Sequence, residues 1–188
     1  MHTLHTTKAF VLQRFPQGES NYTYKIFTED LGLLYAHAQS VRELKSRNKY
    51  ALNIGQLGEV TLVKGREIWR ITGAQNLVEY AKASGFERKL LYIIGKFSPP
   101  EVKAPELFEI IEKSLSCNRE QKIDKELLEV LTMLRIMDVL GFVARPIDEE
   151  VIKVLLETSE ITPNILKIVE ENKKKLIARV NSALDEAN

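Results

Sequence analysis

Apolar and polar residues alternate along the first seventy or so positions, which is the period of a half-buried strand. Residues 7–15 place Phe10 and Leu12 on one face with Arg14, and Val11, Gln13 and Phe15 on the other. Pro16-Gln17-Gly18 ends this strand as a turn. Residues 20–28 alternate again, with Tyr22, Tyr24 and Ile26 facing one way and Thr23, Lys25 and Phe27 the other. A turn at Asp30-Leu31-Gly32 leads into a third strand over 33–40. Residues 57–64 and 67–72 flank Gly65-Arg66 as a second hairpin. Five short strands leave little room for an intervening helix. They favour a small closed barrel of the OB type over an open sheet with two exposed edges.

After Gly73 the apolar period lengthens to that of helices. Ser84 and Glu87 form a capping box for a helix through Leu90, Leu91 and Ile94, which Ser98-Pro99-Pro100 stops. Pro105 suits the first turn of a second helix, with Leu107, Phe108, Ile111 and Leu115 on its apolar face. Residues 124–140 form a third, ending at Gly141. Asp148 starts a fourth through Val151, Val154 and Leu155. Thr162-Pro163 caps a last helix that carries Ile165, Val169, Leu176, Val180 and Leu184. The expected fold is α+β with two domains, a five-stranded OB-type barrel over 1–73 and an all-helical domain over 74–188.

The net charge of +1 is uninformative, but its distribution is not. Through Thr72 the chain carries +4, and the remainder carries −3. A basic front and an acidic back imply different partners for the two parts. Cys117 is the only cysteine, so neither an intrachain disulfide nor a thiolate-rich zinc site is expected. The first residues lack the apolar core of a signal peptide, and the apolar runs are too short to cross a membrane. These features lead to the expectation of a cytoplasmic chain with no cofactor, no metal and no membrane partner.

Catalytic signatures are missing. Gly95-Lys96 lacks the earlier glycine of a phosphate-cradling loop, and no nucleophile elbow occurs. His37 stands on a strand among small residues, without partners for a triad or a metal site. What the sequence offers is binding. Arg42, Lys45, Arg47 and Lys49 fall within eight positions against one acid, Glu43, directly after the third strand. Such a cluster on a rigid support is the footprint expected for phosphate. Lys25, Lys64, Arg66 and Arg70 are secondary candidates, interleaved with Tyr22, Tyr24, Tyr35, Tyr50 and Trp69. Cations and aromatics together can neutralise phosphates and stack bases, although about half of the aromatics are expected to fill the barrel.

The N-terminal residues resemble the RecO family of bacterial recombination mediators. The resemblance lies in Ala9-Phe10-Val11-Leu12, Pro16-x-Gly18-Glu19-Ser20, Phe27-Thr28-Glu29-x-x-Gly32-Leu33, and Ala38 leading to Ser40-Val41-Arg42-x-x-Lys45-Ser46-Arg47. Pro105-Glu106-Leu107-Phe108 and Leu134-Arg135-x-x-x-x-Leu140-Gly141-Phe142 extend it into the helical part. The family's fold, an OB barrel followed by helices, agrees with the periodicity. The resemblance implies a non-enzymatic protein that binds single- and double-stranded DNA, promotes strand annealing and helps load recombinase. The implied protein partners are a RecR-like protein and the single-strand-binding protein. Many relatives carry a four-cysteine zinc module after the Leu-Gly-aromatic motif. Here Val143-Ala144-Arg145-Pro146-Ile147 follows instead, so the chain looks like a reduced, zinc-free form. The alternative function is a protein-interaction adaptor whose barrel no longer binds DNA.

Overall fold

The computed structural model describes residues 3–41, 50–79, 85–119, 123–143 and 150–187. Its contacts divide the chain into two compact units, residues 1–105 and 106–188.

Among the described residues, the first unit is a closed five-stranded barrel with one helix. Strands β1 (Leu4–Gln17), β2 (Asn21–Thr28), β3 (Gly32–Ala38), β4 (Gln56–Lys64) and β5 (Trp69–Glu79) close in the order β1-β2-β3-β5-β4. All pairs are antiparallel except β3–β5, which closes the barrel through Ala36↔Trp69 and His37↔Arg70. This is the OB-type α+β architecture that the alternation predicts. The long first strand pairs with β2 along one stretch and with β4 along another, so a single strand borders both halves of the barrel.

Period-two alternation sorts the side chains. Ala9, Val11, Tyr24, Ile26, Leu34, Ala36, Val60, Leu62, Trp69 and Ile71 fill the interior. Val41 and Leu52, from the connection between β3 and β4, complete this core. Burial pushes the Tyr24 phenol up to about 12. A register shift between Val11 and Gln13 inserts Leu12 as an extra residue on β1. Both Val11 and Leu12 are therefore buried, where strict alternation exposes one of them.

The outward face has a gradient. Leu57, Phe10, Phe27 and Leu33 are successive register partners and all are fully buried. An outward apolar row needs a cover, and helix α1 (Gly85–Phe97) packs on β1 and β2. The segment after it is tied to the same end. Glu101 donates its N–H to the Leu33 carbonyl at 2.7 Å. Gly32, at φ +70°, lies so close to Val102 that a Cβ would sit 1.9 Å from the Val102 carbonyl oxygen. Thr28 fixes this turn, accepting from the Leu31 N–H and donating to the Gly32 carbonyl.

These contacts correct the expected domain boundary at 73/74. Strand β5 runs through Gly73 to Glu79, and α1 belongs with the barrel because the barrel's apolar outer row requires it. The second hairpin also differs. Its connection is Gly65–Ile68, closed by the Gly65 N–H on the Ile68 carbonyl, so β5 starts at Trp69 rather than Glu67.

The second unit holds α2 (Pro105–Arg119), α3 (Lys125–Val139), α4 (Glu150–Leu156), α5 (Pro163–Glu171) and α6 (Lys173–Ala187). Helix α3 is its centre, packed on α4, α5 and α6 and buried on nearly all sides from Leu127 to Met137. Asp124 caps it by accepting the N–H groups of Glu126 and Leu127. The expected last helix is two. Asn172, at φ −110° and ψ 9°, interrupts it, and its side-chain amide donates to the Ile168 carbonyl. In α4 the buried positions are Ile152 and Leu155, whereas Val151 and Val154 are exposed, so the expected face is offset.

The buried polar anchor of this unit is Arg135. Its guanidinium donates to the carbonyls of Leu155, Ser159 and Glu160 at 2.9, 3.2 and 3.0 Å, tying the α4–α5 connection to α3. Burial pushes its pKa down to about 10, so it remains cationic at neutral pH. Nearby, Lys113 bonds Glu109, Ser159 and Glu160. That pairing holds the Glu109 carboxyl below and the Lys113 ammonium above their ordinary ranges. Among the described residues no helix is long and apolar enough to cross a membrane, and no group of three metal-ligating side chains is assembled.

Candidate nucleic-acid interface

On the outward face, beyond the buried apolar row, the sheet becomes polar and aromatic. One row of register partners crosses four strands: Phe15 of β1, Thr23 of β2, His37 of β3 and Arg70 of β5. The neighbouring row is Gln13, Lys25 and Tyr35. Register partners share a face, so these side chains form one surface. Phe15 and Tyr35 are 43% and 45% exposed and their ring centroids lie 6.3 Å apart. The Lys25 ammonium stands 5.5 Å from the Tyr35 centroid and donates to the Gly95 carbonyl at 2.6 Å. That carbonyl belongs to the last turn of α1, where a cation also meets the negative end of the helix dipole.

The surface can neutralise phosphate through Lys25 and Arg70 and can offer ring faces to bases through Phe15 and Tyr35. It lies on β2 and β3 with their neighbours, the face by which OB barrels hold oligonucleotides, and the β4–β5 connection adjoins it.

The secondary candidates separate by register. Lys25 and Arg70 belong to the outward surface. Arg66 lies in the β4–β5 connection, exposed beside Ile68, and lines the same surface hollow as Arg70. Lys64 belongs to a different row. It pairs with Trp69, which pairs with Ala36 and then Tyr24, all three buried in the barrel interior. Lys64 therefore stands at the barrel mouth, 5.1 Å from the Trp69 ring centroid and 2.6 Å from a Glu101 carboxylate oxygen. The Lys64 ammonium holds Glu101 below the ordinary carboxylate range. A cation already neutralised in this way is a poor phosphate ligand. Arg42, Lys45, Arg47 and Lys49 lie outside the described residues.

The aromatics divide as well. Tyr24 and Trp69 are core, Tyr22 is partly buried under the Arg14 guanidinium, and Tyr35 and Tyr50 are exposed. Phe15 and His37 were absent from the residues singled out in the sequence for binding. Their signal was available, since positions 13 and 15, 23 and 25, and 35 and 37 alternate in phase on paired strands.

Residues 1–80 match the family described as Recombination protein O N terminal. Over 118 residues the chain is 30% identical to a protein of Dehalococcoides mccartyi named DNA repair protein RecO, covering 58% of this chain and 46% of that relative. A protein of the same name from Alkaliphilus metalliredigens is 23% identical over 141 residues, covering 72% of this chain and 57% of the relative. The chain thus matches about half the length of these curated relatives.

Proposed function

We propose that this chain, whose residues 1–80 match the Recombination protein O N terminal family, is a DNA-binding recombination mediator in DNA repair. In this reading it binds single- and double-stranded DNA, promotes annealing of complementary strands and helps load recombinase, and it is not an enzyme. The observation that supports the reading is the outward surface of Phe15, Lys25, Tyr35, His37 and Arg70, on the face that OB barrels in general use for oligonucleotides.

The mechanism is electrostatic. Two phosphate backbones repel one another. Cations of one protein surface can displace counterions from both and lower that repulsion. Exposed rings hold single-strand bases unstacked from each other, and each contributes about 1–3 kcal/mol. The protein makes and breaks no bond. Contacts with a RecR-like protein and the single-strand-binding protein belong to the same proposal and rest on the family alone.

The test is equilibrium binding of a labelled oligothymidine, followed by fluorescence anisotropy, with the full chain and with Tyr35→Ala and Arg70→Ala. Binding by the parent chain, weakened in both variants, supports the proposal. Absence of binding by the parent chain would favour the adaptor reading.

A further inference from the structure

The outward face of the barrel does not end at β2. Between β1, β2 and helix α1 runs a groove of about 400 Å³. Its floor includes Leu12 and Leu91, both buried. Among the described residues its charged lining is cationic, Lys25 from the barrel with Arg88 and Lys96 from the helix. Arg88, Tyr92 and Lys96 are spaced four apart, which puts them on one stripe of α1. Each step along that stripe is about 6 Å, so a cationic residue lies one turn before and one turn after Tyr92; the Lys96 ammonium itself stands 4.8 Å from the Phe97 ring centroid. On this helix Phe86, Leu90, Leu91, Ile93 and Ile94 are buried, yet Tyr92 is 62% exposed. Arg88 makes no hydrogen bond or ion pair among the described residues. Lys25 joins the groove to the barrel surface, because its side chain lies against Tyr35 on one side and reaches Gly95 on the other.

We infer that this groove is a second segment of the nucleic-acid path, one that takes a single strand, with a base against Tyr92 and its flanking phosphates at Arg88 and Lys96. The inference rests on the proposed function of the barrel face and adds a helix that an OB barrel does not need for it. The cationic lining selects an anion, and the exposed ring with a cationic residue one turn to either side suits a chain whose bases and phosphates alternate. A duplex cannot present the face of a base to Tyr92, so the occupant is a single strand. The sequence hides this stripe, since Arg88 and Lys96 are scattered among apolar positions and form no cluster along the chain.

The test uses the full chain, an oligothymidine of about 20 nucleotides and one of about 6, since a single OB barrel engages about 4–16. Tyr92→Ala should weaken binding of the longer strand roughly fivefold or more, and Tyr92→Phe should bind like the parent. Arg88→Gln with Lys96→Gln should flatten the slope of log affinity against log salt by about 1.4. Binding of the short strand should change little in every case, and duplex binding should be unaffected by Tyr92→Ala. If Tyr92→Ala and the double variant bind the longer strand like the parent while Tyr35→Ala weakens it, the groove is not on the path and only the barrel reading survives. Equal losses for Tyr92→Phe and Tyr92→Ala would overturn stacking at this position. Competition by an oligoaspartate peptide that is itself weakened by Tyr92→Ala would reassign the groove to an acidic protein segment. No binding by the parent chain would overturn both readings.

Discussion

Lys25 and Tyr35 face each other across the β2–β3 ladder, and the ammonium that stands over the ring also holds the last turn of α1. One side chain thereby joins the exposed surface to the helix beside it. The two residues should respond differently to truncation. Tyr35→Ala should cost little stability, because the ring is half exposed, yet weaken single-strand binding by about 1–3 kcal/mol. Lys25→Ala should also destabilise the fold by about 1 kcal/mol, since it removes a charged hydrogen-bond donor from a helix end. Urea denaturation and anisotropy on the same preparations separate the two effects.

Lys64 and Arg70 make a second contrast. Lys64 is held by Glu101 at the barrel mouth, whereas Arg70 stands on the outward row beside His37. Lys64→Ala should change single-strand affinity less than Arg70→Ala does. Glu101→Gln should then raise the affinity slightly, because it releases the Lys64 charge. Equal losses in the two alanine variants would place the nucleic acid over the barrel mouth instead.

The pH dependence of the Lys64–Glu101 pair has a definite sign. The Glu101 carboxyl is held low by Lys64, so the folded state binds that proton less readily than the unfolded state. Its contribution is present above the carboxyl's unfolded pKa and is lost as pH falls through the lower folded value. Both groups are about half exposed, so the effect is small. Comparison of parent and Glu101→Gln stability between pH 6 and pH 3, values chosen to be about two units above and one below the ordinary carboxylate pKa, should show a shallower acid limb in the variant.

Gly32 should tolerate no side chain. Its φ of +70° already costs an L-residue about 1–2 kcal/mol, and a Cβ would overlap the Val102 carbonyl. Gly32→Ala should lower stability by more than that backbone term alone. A variant as stable as the parent would mean that the Val102 segment moves aside freely.

Much of this was legible because the barrel obeys a two-residue period. Tyr24 and Ile26 point inward and Lys25 outward, as alternation requires. Alternation failed at Leu12, where an inserted residue breaks the phase. The boundary at 73/74 failed for a different reason. Gly73 reads as a strand end, but it lies within β5, opposite Thr61 and next to a register shift between Thr61 and Leu62. Helix α1 could not be assigned to the barrel from its own pattern, because any amphipathic helix needs some apolar surface, and the sequence does not say whose. The site was partly legible. Cations and aromatics could be listed, but only register distinguishes Arg70, outside the barrel, from Lys64 at its mouth.

The most direct measurement is a salt titration of oligothymidine binding by the parent chain and by a variant in which Arg42, Lys45 and Arg47 are all changed to Ala. Affinity should fall as salt rises, with a slope near −0.7 for each phosphate contacted on a single strand. The triple variant should flatten that slope by roughly two units while leaving helical content unchanged. Affinity that does not depend on salt, or a triple variant with the parent's affinity and slope, would contradict a phosphate-binding role for this basic segment.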